Sequence, residues 1–160
     1  MTSHATRLGL PIAVAGSGDA DAPTLAAAEE IGALLADAGF VVITGGLGGV
    51  MEAASRGARS RLGVTVGILP GEDPADANGW VELALPTGLG ETRNAVLARS
   101  ARGLVAIGRG FGTLSEIAFA LKSGRPVVGL ASWDIDGVET VASARDAAER
   151  ITALVSQTHS

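Results

Sequence analysis

Cysteine is absent from this chain of 160 residues. That removes disulfides, thiolate nucleophiles, Cys-ligated zinc and iron–sulfur clusters together, and it suits a reducing cytoplasm. The two histidines, His4 and His159, stand near opposite termini, which argues against a Ser–His–Asp triad or a histidine metal cluster; no metal site is expected. Lysine occurs once, as Lys122, at a predicted helix end where a cation complements the dipole; a pyridoxal-phosphate mechanism, which needs a Schiff-base lysine, has little to work with. No apolar run approaches the ~18 residues of a membrane-spanning helix. The net charge of -5 and a pI near 4.9 argue against a non-specific nucleic-acid binder, which needs a basic face. Aromatics reach only 3% and charged residues 18%, against roughly 25% charged in ordinary soluble domains.

What is present is small and apolar: hydrophobic residues make up 47%, with 23 Gly. The length fits one domain over residues 1–160 and is too short for two independent cores. Continuous apolar runs predict strands at Ile12–Ala15, Val41–Thr44, Val64–Leu69, Val81–Leu85, Leu104–Ile107 and Val127–Leu130, as in parallel strands covered on both faces. The first run, from Arg7 onward, imitates a short signal sequence, but the Gly turn and helix pattern that follow favour a strand. Helices are predicted over Ala22–Ala38, Val50–Arg61, Glu91–Ala101, Leu114–Lys122 and Ala144–Val155. Pro23 and Gly39 bracket the first of them, and Ser143 with Asp146 caps the last. Strand–helix alternation with short connections specifies an α/β, Rossmann-like open sheet, mainly parallel, with helices on both faces. The longest loop, Pro70–Gly79, is placed to overhang a site.

Four glycine clusters fall between a predicted strand and the next helix: Gly16-Ser17-Gly18, Gly45-Gly46-Leu47-Gly48-Gly49, Gly88-Leu89-Gly90 and Gly108-Arg109-Gly110-Phe111-Gly112-Thr113. In a parallel sheet those positions share the carboxyl rim, where open α/β folds bind ligands. Glycine lets the backbone approach a phosphate, and helix N-terminal amides hold it. One such cluster means a tight turn; four on one rim point to a ligand. The chain has no GxxxxGK[ST] window, and Thr113 stands where GxGxxG needs its last glycine, so neither a P-loop nor a conventional dinucleotide-binding unit is supported.

Arg93 falls in the first turn of its predicted helix, where a positive charge opposes the dipole and calls for an anionic partner. Glu116 follows Thr113 by three residues, so the two read either as a capping box or as part of a site. Both helix starts lie on the same rim, which lets an Arg93–Glu116 pair face a bound phosphoribosyl group. Glu52, at a third helix start, is explained by the dipole as readily as by function.

The run Gly45-Gly46-Leu47-Gly48-Gly49-Val50-Met51, then Thr92-Arg93-Asn94, then Gly110-Phe111-Gly112-Thr113-Leu114-Ser115-Glu116 resembles the Lonely Guy superfamily, long mislabelled "possible lysine decarboxylase". The resemblance spans roughly residues 10 to 155. It implies a Rossmann-like fold, usually a homodimer, and hydrolysis of the N-glycosidic bond of nucleoside 5′-monophosphates with no cofactor required, the family's catalytic pair falling on Arg93 and Glu116. This sequence departs from the enzymes' pattern: Gly108 and Arg109 replace Pro and Gly, Asn94 replaces Lys, and Glu52 replaces Gly. The departures resemble the branch of molybdenum-cofactor carrier proteins, which bind a phosphorylated pterin without transforming it.

Three functions therefore stand side by side. In the first and preferred one, the chain binds a phosphorylated nucleotide-like ligand, such as the molybdenum cofactor or a nucleotide, on its strand-end loops. The candidate contacts are Gly16, Ser17, Gly45, Gly46, Gly48, Gly49, Met51, Asn94, Arg109, Gly110, Gly112 and Thr113. Arg109 either adds a positive charge for the ligand or fills the cradle. In the second, Glu116 activates water for attack at C1′ and Arg93 positions Glu116 or the phosphate. In the third, the domain serves only interaction, which leaves the glycine loops without a shared purpose. The partners expected are a small phosphorylated ligand and further copies of the chain, with no nucleic acid and no membrane.

Overall fold

The computed structural model describes residues 9–157, so His4, His159 and the Arg7–Leu8 start of the first apolar run lie outside it. Strands and helices alternate in the order β1 (Pro11–Gly16), α1 (Ala22–Asp37), β2 (Val41–Thr44), α2 (Val50–Ser60), β3 (Thr65–Leu69), β4 (Leu83–Pro86), α3 (Arg93–Ser100), β5 (Gly103–Ile107), α4 (Phe111–Lys122), β6 (Val127–Leu130), β7 (Val138–Val141) and α5 (Ala144–Gln157). Short 3-10 turns occupy Pro74–Asp76 and Gly90–Thr92. The strands form one seven-stranded sheet in the order β4-β3-β2-β1-β5-β6-β7, parallel at each pairing. This is the α/β, Rossmann-like fold that the alternation specifies.

The chain builds outward from β1 to β4, then returns to β5 on the other side of β1 and builds the opposite way. Right-handed crossovers put helices on opposite faces when the direction of travel reverses. Accordingly, Ile12 and Val14 of β1 pack with Ile31 and Leu35 of α1 and Ile151 of α5. Their neighbours Ala13 and Ala15 pack with Leu97 of α3 and Ile117 of α4. Burial of both faces is why these strands read as unbroken apolar runs. The Ser143–Asp146 signal holds, Ser143 Oγ accepting from the Asp146 amide at 3.1 Å, and the structure adds a cap for α1, where Asp21 accepts from the Thr24 amide at 2.9 Å. No helix among the described residues is long and apolar enough to cross a membrane.

Two helix starts and one strand depart most from the sequence expectation. The stretch predicted as a helix from Glu91 begins as a 3-10 turn and becomes α-helical only at Arg93. The helix predicted from Leu114 starts three residues earlier, at Phe111. Strand β7 escaped prediction because Val138–Val141 interleaves Glu139 and Thr140, a composition an edge strand tolerates.

Candidate functional site

At the carboxyl ends of β1, β2 and β5 the glycine loops converge with the start of α3, at the point where the strand order reverses. Together they enclose a cleft of about 780 Å³, inside the ~300–1,000 Å³ range of small-molecule sites. The structure brings Gly16, Ser17, Met51, Arg93, Asn94, Gly110, Gly112, Thr113 and Glu116 together along this cleft. Gly45, Gly46, Gly48, Gly49 and Arg109 are not among its lining residues. Arg109 instead donates Nε to the Ser132 carbonyl at 3.1 Å, so it neither coats the cleft nor plugs it.

The glycines divide by what surrounds them. A Cβ on Gly16 would lie 2.4 Å from Val50 Cγ1, one on Gly46 2.6 Å from Leu69, and one on Gly49 2.3 Å from the Ser17 carbonyl oxygen. These residues are small because other parts of the chain press on them. Gly18, Gly48 and Gly110 have no neighbour nearer than 3.7 Å, and Gly112 has none within 4 Å. Of this second set, Gly18, Gly110 and Gly112 line the cleft and leave room there for a ligand. In the third cluster, the Gly88 and Gly90 amides donate to the Gly71 and Pro70 carbonyls, each at 2.9 Å, and so serve a turn. The 70–79 loop is itself pinned: Asn78 Nδ2 donates to the Gly46 and Leu47 carbonyls at 3.2 and 2.8 Å.

Arg93 is buried at the first position of α3. Its Nε donates to the Ile68 carbonyl at 2.9 Å and its Nη2 to the Gly45 carbonyl at 3.4 Å, while Nη1 donates to Asn94 Oδ1. These acceptors, at the ends of β3 and β2, account for a cation at a helix start without an external anion. Asn94 continues the chain of contacts, donating to Ser115 Oγ at 3.0 Å, and Ser115 donates to the Gly112 carbonyl at 2.7 Å. The starts of α3 and α4 are thereby locked together. Burial lowers the Arg93 pKa from its ordinary value, opposed by the charges of Glu116 and Glu91.

Glu116 is 8% exposed, and its Oε2 has no hydrogen-bond partner. Burial pushes its carboxyl up to about 8, with Arg93 pulling the other way, so it carries a proton at neutral pH. The capping-box reading of Thr113 and Glu116 does not hold. The N-cap of α4 is Gly110, which offers no side chain, and Thr113 lies inside the first turn. The starts of α2 and α3 likewise lack a side-chain cap, whereas α1 has Asp21. The Val50 amide at the start of α2 donates to the Ser17 carbonyl at 3.0 Å and the Arg93 amide closes the preceding 3-10 turn, so of the three it is α4 that begins on the cleft with its first amides unpartnered, a ready anion site.

Gly18, Leu47, Phe111, Thr92 and Ser115, which stand in the glycine clusters and motifs without being named as contacts, also line the cleft, as do Pro70, Glu91 and Phe119. Starting α4 at Phe111 would have found that residue and Ser115. A second depression, between β7 and α5, sets Glu139, Asp146 and Glu149 against the single cation of Arg150, a poor surface for an anion. Among the described residues, no group of three or more His, Asp or Glu stands together to hold a metal ion.

Comparison with known proteins agrees with this fold. A molybdenum cofactor binding protein from the phototrophic bacterium Rippkaea orientalis superposes with a TM-score of 0.86 and 34% identity, over 94% of this chain and 99% of that one. The molybdenum cofactor carrier protein of Chlamydomonas reinhardtii gives 0.85 and 34%, over 92% and 99%. An uncharacterized protein of Archaeoglobus fulgidus is 42% identical over 121 residues, 76% of this chain and 80% of that protein. The likeness to the Lonely Guy superfamily, on the side of its carrier branch, therefore extends over fold and sequence alike. Residues 9–159 match the SLOG cluster4 family, and the chain belongs to it.

Proposed function

We propose that the cleft binds a phosphorylated, nucleotide-like small molecule and passes it on chemically unchanged, with the molybdenum cofactor as the cargo suggested by its relatives. The observation that carries this reading is the start of α4. Its first turn has no side-chain cap, it borders the open space at Gly112, and it faces the cleft. The amides of Phe111, Gly112 and Thr113 would hold the phosphate with help from the helix dipole. Ser17, Gly18 and Met51 also line the cleft, and Asn94 and Arg93 keep the two helix starts in register. The residues present fit a phosphorylated pterin: the volume suffices, no side chain crowds Gly112 at the start of α4, and Glu116 Oε2 is a buried polar atom lacking a partner.

Two features favour carriage over catalysis. Glu116 is protonated at neutral pH and so is a poor acceptor for a proton from water. Arg93 gives three of its five donors to its own chain. The second reading, a phosphoribohydrolase, is favoured by the same carboxyl, because a group with pKa near the working pH exchanges protons readily. There, ionised Glu116 would take the proton of water attacking C1′, and Arg93 would position it. Assembly into a homo-oligomer is also proposed, supported by Leu83 and Leu85 on the edge strand, Leu89 in the next turn and Val96 on α3, all exposed.

The deciding experiment incubates the protein with AMP and separates the products, while a second sample, as purified, is denatured and examined for pterin fluorescence. Intact AMP together with a released fluorescent pterin is the expected result. Free adenine formed in proportion to the protein would overturn carriage in favour of hydrolysis.

A further inference from the structure

We propose that Phe111, backed by Trp133, is a shelf on which a flat ring of the ligand stacks, so that the site selects phosphorylated compounds bearing a heteroaromatic ring over the same phosphate on a bare sugar. This rests on the reading of the cleft as a phosphate site. The chain has three Phe, two Trp and no Tyr, and three of these aromatics, Phe111, Phe119 and Trp133, gather about α4 and the cleft. Phe111 is 82% exposed, an unfavourable setting for a large apolar ring unless something covers it.

The ring is nevertheless held. Its centroid lies 6.0 Å from that of Trp133 with the planes 30° apart, within the range of offset aromatic pairs. Trp133 is fixed in turn, because its Nε1 donates to the Gly110 carbonyl at 3.0 Å. The pair is therefore anchored to the very residue from which α4 starts. Phe111 lies on the cleft wall immediately before Gly112 and Thr113, whose amides are the proposed phosphate contacts. Phosphate and ring sites so close in the chain suit one molecule of nucleotide size. Base stacking on an exposed aromatic tolerates many rings, since every base has a π-face. Glu116, on the same wall with Oε2 unpartnered, offers the ring a polar edge contact.

The test uses the full chain carrying Trp80→Phe, so that Trp133 is the only indole, with AMP, neopterin monophosphate and ribose 5-phosphate as probes. The two ring-bearing compounds should change Trp133 emission and bind at least about tenfold more tightly than ribose 5-phosphate. Phe111→Ala should bring their affinities down to that of ribose 5-phosphate and leave ribose 5-phosphate itself unaffected, and Phe111→Tyr should restore the difference. Equal affinities for all three probes in the parent, or an equal loss of all three in Phe111→Ala, overturns the shelf and leaves the phosphate site standing. Failure of every probe to bind overturns the reading of the cleft and the shelf with it. Sedimentation of the same variant guards against another cover for Phe111: loss of an oligomer with unchanged affinities makes Phe111 a contact between copies and also overturns the shelf.

Discussion

Arg93 lies directly over Gly45. The Gly45 carbonyl accepts from Arg93 Nη2 at 3.4 Å, and a Cβ at Gly45 would stand 2.5 Å from that same nitrogen. Glycine at this position makes room for a buried cation and not for a ligand. The opposite holds at Gly112, where a Cβ meets nothing within 4 Å.

This contrast predicts a crossed result. Gly45→Ala displaces Arg93 and should lower stability by about 1–3 kcal/mol, as overpacking does. Gly112→Ala, inside a helix, should leave stability unchanged or raise it by about 0.5–1 kcal/mol, while weakening ribose 5-phosphate binding. Urea unfolding and a ligand titration on both variants check this. A destabilised Gly112→Ala with normal binding would refute the division of the glycines.

The Glu116 carboxyl sets a pH dependence whose sign follows from its shift. Its ordinary value of 4.5 is raised to about 8 by burial, so between those values the folded protein holds a proton that the unfolded chain has released. Its contribution is complete below 4.5 and is lost as pH rises through about 8, with a slope of at most ~1.4 kcal/mol per pH unit. Asp21, lowered by its bonds with Thr24, and Glu139, lowered by Arg150, act in the opposite sense at acid pH. Glu116→Gln should flatten the stability profile between pH 5 and 8 and be the more stable protein at pH 9 (both bounds roughly those of the shift). An unchanged slope in the variant would count against the assignment.

Arg93 is predicted to hold Glu116 down from a still higher value. Arg93→Gln should move the Glu116 titration upward when followed by carboxyl carbon NMR. It should also destabilise the fold, by about 1–3 kcal/mol for each buried acceptor left without a donor. A downward shift would show that the two groups do not interact as described.

Asn78 ties the 70–79 loop to the glycine loop after β2 through two donated bonds and accepts a third from the Trp80 amide at 2.9 Å. Asn78→Ala should cost about 1–3 kcal/mol and speed hydrogen exchange in residues 45–49 and 70–79 more than in β1 or β5. Uniform acceleration across the sheet would indicate global rather than local loosening.

Much of the fold was readable before the structure because its central strands are buried on both faces and appear as plain apolar runs. Val14 and Val105 pack to one side while Ala13 and Leu104 pack to the other, leaving no polar alternation to confuse them. Edge strand β7, with Glu139 and Thr140, had no such signature. The start of α4 was misread because Thr113 and Glu116 have capping-box spacing, whereas the true N-cap, Gly110, has no side chain to announce it. Phe111 was overlooked with it. Which glycines are open could not be read locally, since Gly45 is filled by an arginine 48 residues further along and Gly46 by Leu69. Arg93 and Glu116 were found by motif, but their internal partners depend on how β2 and β3 end.

The most direct test is an amide NMR titration with ribose 5-phosphate, following the helix starts separately. The amides of Phe111, Gly112 and Thr113 should shift with a common saturation curve, while the Thr24 amide, already bonded to Asp21, stays in place. Shifts confined to other surfaces, with the first turn of α4 unmoved, would contradict the claim that this uncapped turn is the anion's seat.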